Sequence, residues 1–208
     1  MKKIFFSILG INAIIFGACN SGGNKNSHEG HDMNKDTAQH STVSGDKDVK
    51  VVPVTYTNVD EKAAASIKEI FDHYLHVKNA LANDNGSDAA AGAKAMDKAI
   101  SKLDKSLLSA EQKKVYDAIE EDLKEHTEHI GKNGDNIKHQ RSHFSMMSED
   151  VYDLAKAFGG GQALYHDHCP MYNKDKGGAM WLSETKDLKN PYFGSEMPKC
   201  GSVEEVIK

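Results

Sequence analysis

Cysteine is scarce in this chain, three in 208 residues, and the scarcity excludes several chemistries. There is no CxxC redox pair and no CxxCH haem attachment. A helical HExxH and a phosphate-cradling glycine loop ahead of a lysine are also missing, so a binding protein is expected rather than an enzyme. Basic charge is not in excess: 26 Lys and Arg stand against 31 Asp and Glu, a net charge of −5. With no basic face, nucleic acid is not expected as a partner. Long apolar runs are lacking too, except for one at the start.

That start reads "MKKIFFSILGINAIIFGACNSGG". Lys2 and Lys3 precede an apolar run from Ile4 to Phe16, which is short for a hydrocarbon core of roughly 30 Å and has the layout of a secretory signal. A transmembrane anchor is the alternative reading. The run ends at "FGAC", which resembles a bacterial lipoprotein cleavage site, so residues 1–19 are expected to be a signal peptide with Cys19 as the lipid-bearing residue. Residues 20–57 lack an apolar period and are rich in Gly, Ser, Asn, Asp and Lys, the composition of a disordered tether. Within it, "HEGHDM" places His28, His31 and Met33 together as a secondary metal-capturing arm.

From residue 58 the period becomes helical. Ile67, Ile70, Tyr74, Val77 and Leu81 recur three and four apart, with Asn58 and Glu61 as a candidate cap. After "NDNG", Ala93, Met96, Ile100, Leu103 and Leu107 repeat the rule. Ser109 with Gln112 forms a capping box for a third helix carrying Val115, Ile119, Leu123, His126 and Ile130. A fourth follows "GKNGD" with Ile137, Phe144, Met147, Val151, Leu154 and Phe158, and "GGG" at 159–161 stops it. The expected fold class is all-α: an antiparallel four-helix bundle over 58–161. An irregular metal-binding tail, 162–208, is expected to pack on it through Trp181, Leu182, Tyr192 and Phe193, with a brief helix near 179–188.

The tail holds the chemistry. "HDHCPMY" sets His166, His168, Cys169 and Met171 within six positions, and "MPKC" repeats a thioether and a thiol at Met197 and Cys200. Thiolate and thioether are soft donors that favour Cu(I) over oxygen-seeking ions. Two cysteines with two histidines also make a tetrahedral zinc set, so zinc stays open. The plainer alternative is a Cys169–Cys200 disulfide stapling the tail, contributing roughly 3–4 kcal/mol in the chain-entropy model. On the fourth helix, His139 and His143 lie four apart with Met146 and Met147 beyond, and His143 is the preferred bundle-side ligand. His126 and His129, three apart, can chelate, but a core role for His126 is the simpler reading, and His139 reads as solvated.

The stretch "YHDHCPMYNKDKGGAMWLSETKDLKNPYFGSEMPKCGSV" resembles a family of Gram-negative periplasmic domains of unknown function, found alone on lipoproteins or fused to adaptor subunits of heavy-metal and copper efflux pumps. The family pattern is a helical region followed by CPM, GAxWL, NPYFG and MxxCG, which fall here on Cys169–Met171, Gly178–Leu182, Asn190–Gly194 and Met197–Gly201. "QRSHFSMMSEDVYDLAKAFG" is similar to the family's last helix. The resemblance implies an outer-membrane or periplasmic lipoprotein of a Gram-negative envelope that handles copper near an efflux adaptor or pump. The combined expectation is Cu(I) sequestration or delivery through Cys169, Met171, Met197 and Cys200, helped by His143, His168 or His166. A metal-free, disulfide-stapled interaction module is the competing reading.

Overall fold

The computed structural model describes residues 49–208. The signal segment with Cys19, and His28, His31 and Met33 of the tether, lie outside the described residues.

Helix α1 (Glu61–Ala82) begins at Asp60, whose carboxylate accepts the amides of Lys62 and Ala63 at 2.9 and 3.3 Å. The cap is therefore Asp60 rather than Asn58. An ionised acceptor at this end satisfies free amides and meets the positive end of the helix dipole. Helix α2 (Gly86–Lys102) is capped by Asn85 through the Asp88 amide and turns Ala89, Ala93, Met96 and Ile100 inward. It ends at Lys102, so Leu107 belongs to a separate single turn of 3₁₀ helix, Lys105–Leu107. The expected third helix is two: α3 (Ala110–Asp117), opened by the complete Ser109–Gln112 capping box, and α4 (Glu120–Lys132). Near the break, Tyr116 is buried and its hydroxyl donates to the Ile100 carbonyl at 3.3 Å. Helix α5 (Ile137–Phe158) stops at Gly159, which adopts φ +70°.

Helix α1 packs on α2, α2 on α4, α4 on α5, and α5 returns to α1. Short connections make the neighbours antiparallel.

The all-α expectation is overturned by what surrounds this bundle. Strands β1 (Lys50–Val52), β2 (Leu164–Cys169), β3 (Ala179–Ser183) and β4 (Ser202–Ile207) form a mixed four-stranded sheet in the order β1-β4-β2-β3. β2 pairs antiparallel with both β3 and β4, and β1 joins β4 in parallel. The tail thus supplies three of the four strands, with its Pro and Gly punctuation falling between them, and the segment near 179–188 begins as β3 rather than as a helix. β1 lies within the stretch read as tether. Its partner is 155 residues away at the Lys50–Glu205 pair, so no hairpin signal marks it. The sheet packs on α5 and α1 through β3. Leu164, Trp181, Leu182, Tyr192 and Ile207 share one core with Tyr74, Phe144 and Val151.

Candidate metal centres

Cys169 ends β2 facing the core and is fully buried, whereas Cys200, just ahead of β4, is half-buried. Their sulfurs stand 3.2 Å apart as free thiols. A disulfide needs about 2.05 Å. Two sulfurs on one tetrahedral ion, at metal–sulfur distances of about 2.3 Å, stand ~3.8 Å apart. The pair therefore sits between closure and chelation, within about an ångström of either. Contact with Cys169, then burial, pushes the Cys200 thiol up, so an incoming ion would have to displace a proton.

The motifs around the pair position it. Asn190, wholly buried, accepts the amides of Tyr192 and Phe193 on its side-chain oxygen at 2.8 and 3.2 Å, and donates to the Cys200 carbonyl at 2.7 Å. One side chain thereby folds the "NPYFG" turn and holds the cysteine. Gly201 follows with φ +139°, where an added Cβ would lie 2.8 Å from the His168 carbonyl, so only glycine lets the strand enter this close. In "GAxWL", Trp181 donates to Ser183, which donates to Asp167 at 2.7 Å. Burial raises the Asp167 carboxyl to about 7, and its other oxygen has no partner.

Met197 is half-buried and accepts the Cys200 amide on its carbonyl at 3.2 Å, whereas the Met171 side chain is half exposed. His166 and His168 are not brought to the thiols. Both turn to Glu204, at 3.7 and 3.4 Å; His168 also contacts the Gly177 carbonyl, and His166 stacks on Tyr152. His168 and Cys169, as strand neighbours, point to opposite faces.

His143 is elsewhere again. It lies with His139 of α5 against His126 and His129 of α4. His126 Nδ1 and His143 Nδ1 are 3.2 Å apart, and His129 Nδ1 and His139 Nε2 are 3.3 Å apart. The His129 and His143 rings stack at 4.1 Å, 4° from parallel. Ligand atoms of His129, His139 and His143 fall within 4.8 Å of one another, the one such set of three among the described residues. All four rings are half-buried. Burial first, and then the neighbouring imidazoles, hold His143 down at about 4, and burial likewise lowers His126. The gathering of all four was missed in the sequence, although two pairs at helical spacing flanking one short turn were there to signal it.

No curated protein and no solved structure matches the chain. Residues 70–163, which span most of the bundle with its four clustered histidines and end just before β2, match the family model described as "Protein of unknown function (DUF3347)", and so form a helical domain of unknown function.

Proposed function

We propose that this protein binds a soft heavy-metal ion, Cu(I) before zinc, at the Cys169–Cys200 pair, and stores it or passes it on. The observation that carries the reading is the pair of free thiols 3.2 Å apart at the junction of core and surface. Cu(I) prefers thiolate and thioether donors, and Met197 and Met171 are the nearest thioethers in sequence. Cys200 supplies the way in, being half-buried where Cys169 is sealed. His143, His166 and His168 are left out of this site because they face other partners.

The protein acts by binding, not catalysis. Its setting is the Gram-negative envelope, as an outer-membrane or periplasmic lipoprotein anchored through Cys19, with His28, His31 and Met33 catching ions for the folded domain. Its recipient is a heavy-metal efflux adaptor or pump. These readings rest on the signal-like first residues and on the resemblance of the tail motifs. No helix among the described residues is long and apolar enough to cross a membrane.

The test is an anaerobic Cu(I) titration of the reduced full-length chain against a chromophoric chelator. Cys200→Ser should abolish competition, and the Met171→Leu/Met197→Leu pair should weaken it on the order of tenfold, because leucine keeps bulk but loses the soft donor. Unchanged affinity in both overturns the reading. A second reading also draws on the short thiol separation: a disulfide that staples the sheet and leaves a protein-docking module. It is favoured if the protein isolated under envelope-like conditions is oxidised and ignores Cu(I) after reduction.

A further inference from the structure

We propose that His129, His139 and His143, steadied by His126, form a second metal site, for a divalent ion of the zinc class, independent of the cysteine pair.

The histidines of the described residues divide in two. His73, His76, His166 and His168 each face a carboxylate within 4 Å. The four between α4 and α5 face one another. Clustered imidazoles gain little as structure, since bringing them together strips water from polar rings, and none of these four is within 4 Å of a carboxylate among the described ion pairs. They make good sense as ligands. An ion holding nitrogens at about 2.0–2.1 Å in a tetrahedron sets them ~3.3–3.4 Å apart; His129 Nδ1 and His139 Nε2 stand at 3.3 Å, and a His143 ligand nitrogen lies within 4.8 Å of those of the other two. Imidazole suits Zn, Cu and Ni, and the absence of a thiol in this set separates it in chemistry from the cysteine pair.

The backbone beneath the rings is fixed. Asn133 donates to the His129 carbonyl at 2.8 Å, Asn136 accepts the His139 amide at 3.1 Å, and buried Gln140 donates to the Ile130 carbonyl at 3.0 Å. The turn between α4 and α5 is thus held at the positions that carry ligands, as a preorganised site requires. Carboxylates of Asp122, Glu125 and Glu149 act on the His126 ring, adding negative potential that favours a cation. His126, touching His143 through one nitrogen, is a positioning residue of the sort that orients a metal-bound imidazole. Partial exposure of all four leaves a path from solvent.

Co(II) is the probe, added to the reduced full-length chain carrying His28→Asn, His31→Asn and His40→Asn, so that the tether adds no imidazole. The expected result is one equivalent bound with visible ligand-field bands and no intense thiolate charge-transfer band, displaced by Zn(II). Binding should vanish in His139→Asn/His143→Asn and weaken about 10- to 100-fold in His126→Ala. His129→Asn, a single change, guards against misfolding, with helical circular dichroism checked in each variant. The proposal is overturned by no binding, by a thiolate band that accounts for all the Co(II) bound, or by folded His129→Asn and double variants that bind as the parent does. Loss of Cu(I) binding in Cys200→Ser leaves this Co(II) result untouched, so the two sites fail separately.

Discussion

The hydroxyl of Tyr74 in α1 accepts the backbone N–H of Leu182 in β3 at 3.0 Å. It lies 2.8 Å from the Ser148 hydroxyl of α5, which donates in turn to the Phe144 carbonyl. Since the serine proton is committed to that carbonyl, the tyrosine proton goes to the serine. The sheet is thereby tied to both helices beneath it by one buried oxygen. Tyr74→Phe preserves the ring stacked on Phe144 but orphans the Leu182 amide, and should cost about 1–3 kcal/mol. A urea midpoint equal to the parent's would show that the joint contributes nothing.

Lys78 is buried in α1, and burial lowers its pKa while Glu184, 2.8 Å away, supports its charge. Glu184→Ala leaves an unpaired charge under the sheet. Because Glu184 is partly exposed, a loss of about 2–3 kcal/mol is expected, below the range for a fully buried pair. Adding Lys78→Met should recover most of it, since the charge is then gone. If the second change deepens the loss, the ammonium is doing something other than pairing.

Asn190→Ala removes the three side-chain hydrogen bonds that join the "NPYFG" turn to Cys200. The expected outcome is faster alkylation of Cys200 and weaker Cu(I) retention, with the helical signal intact. Equal alkylation rates would mean that the Asn190 contacts do not govern access to Cys200.

Acid should destabilise the metal-free protein in a defined window. His143 in the fold is held at about 4, below the ordinary histidine value of 6.5, so the unfolded chain binds the extra proton between these limits. Its contribution is therefore present above pH 6.5 and lost as pH falls towards 4. Melting temperature should drop across that interval, and His143→Asn should flatten the slope; an unaltered slope in the variant contradicts the assignment. Asp84 behaves in a lower window. Ser195 first, and Arg141 with it, hold its carboxyl at about 2, so its stabilising effect is kept above the usual 3.8 and fades only as pH falls towards 2.

Much of the bundle was legible because its evidence is local. The three-and-four spacing of Ile67, Ile70 and Tyr74, the Ser109–Gln112 box and the glycine stop at 159 each act within a turn or two of chain. The sheet was not, because β1 and β4 meet across most of the sequence and β2 carries a bulge between His166 and Asp167 that shifts its alternation. At the candidate sites, the meeting of Cys169 with Cys200 was anticipated from paired motifs. The separation of His168 from Cys169 follows from strand alternation, which acts only because residues 164–169 form β2 where an irregular tail was expected. His126 and His139 were read one at a time as core and solvent. Only the crossing of α4 and α5 makes them neighbours.

β1 is three residues long, yet it covers the outer side of the second half of β4, Glu205 to Ile207, and beyond it Lys208 bonds to Val52 and Val54. Without that cover, β4 would present a row of unpaired amides and carbonyls, a template on which a second molecule can add its own strand. The residues just ahead of α1 therefore act as a guard against self-association, and a fragment cut at the first helix would keep its bundle while exposing an adhesive border.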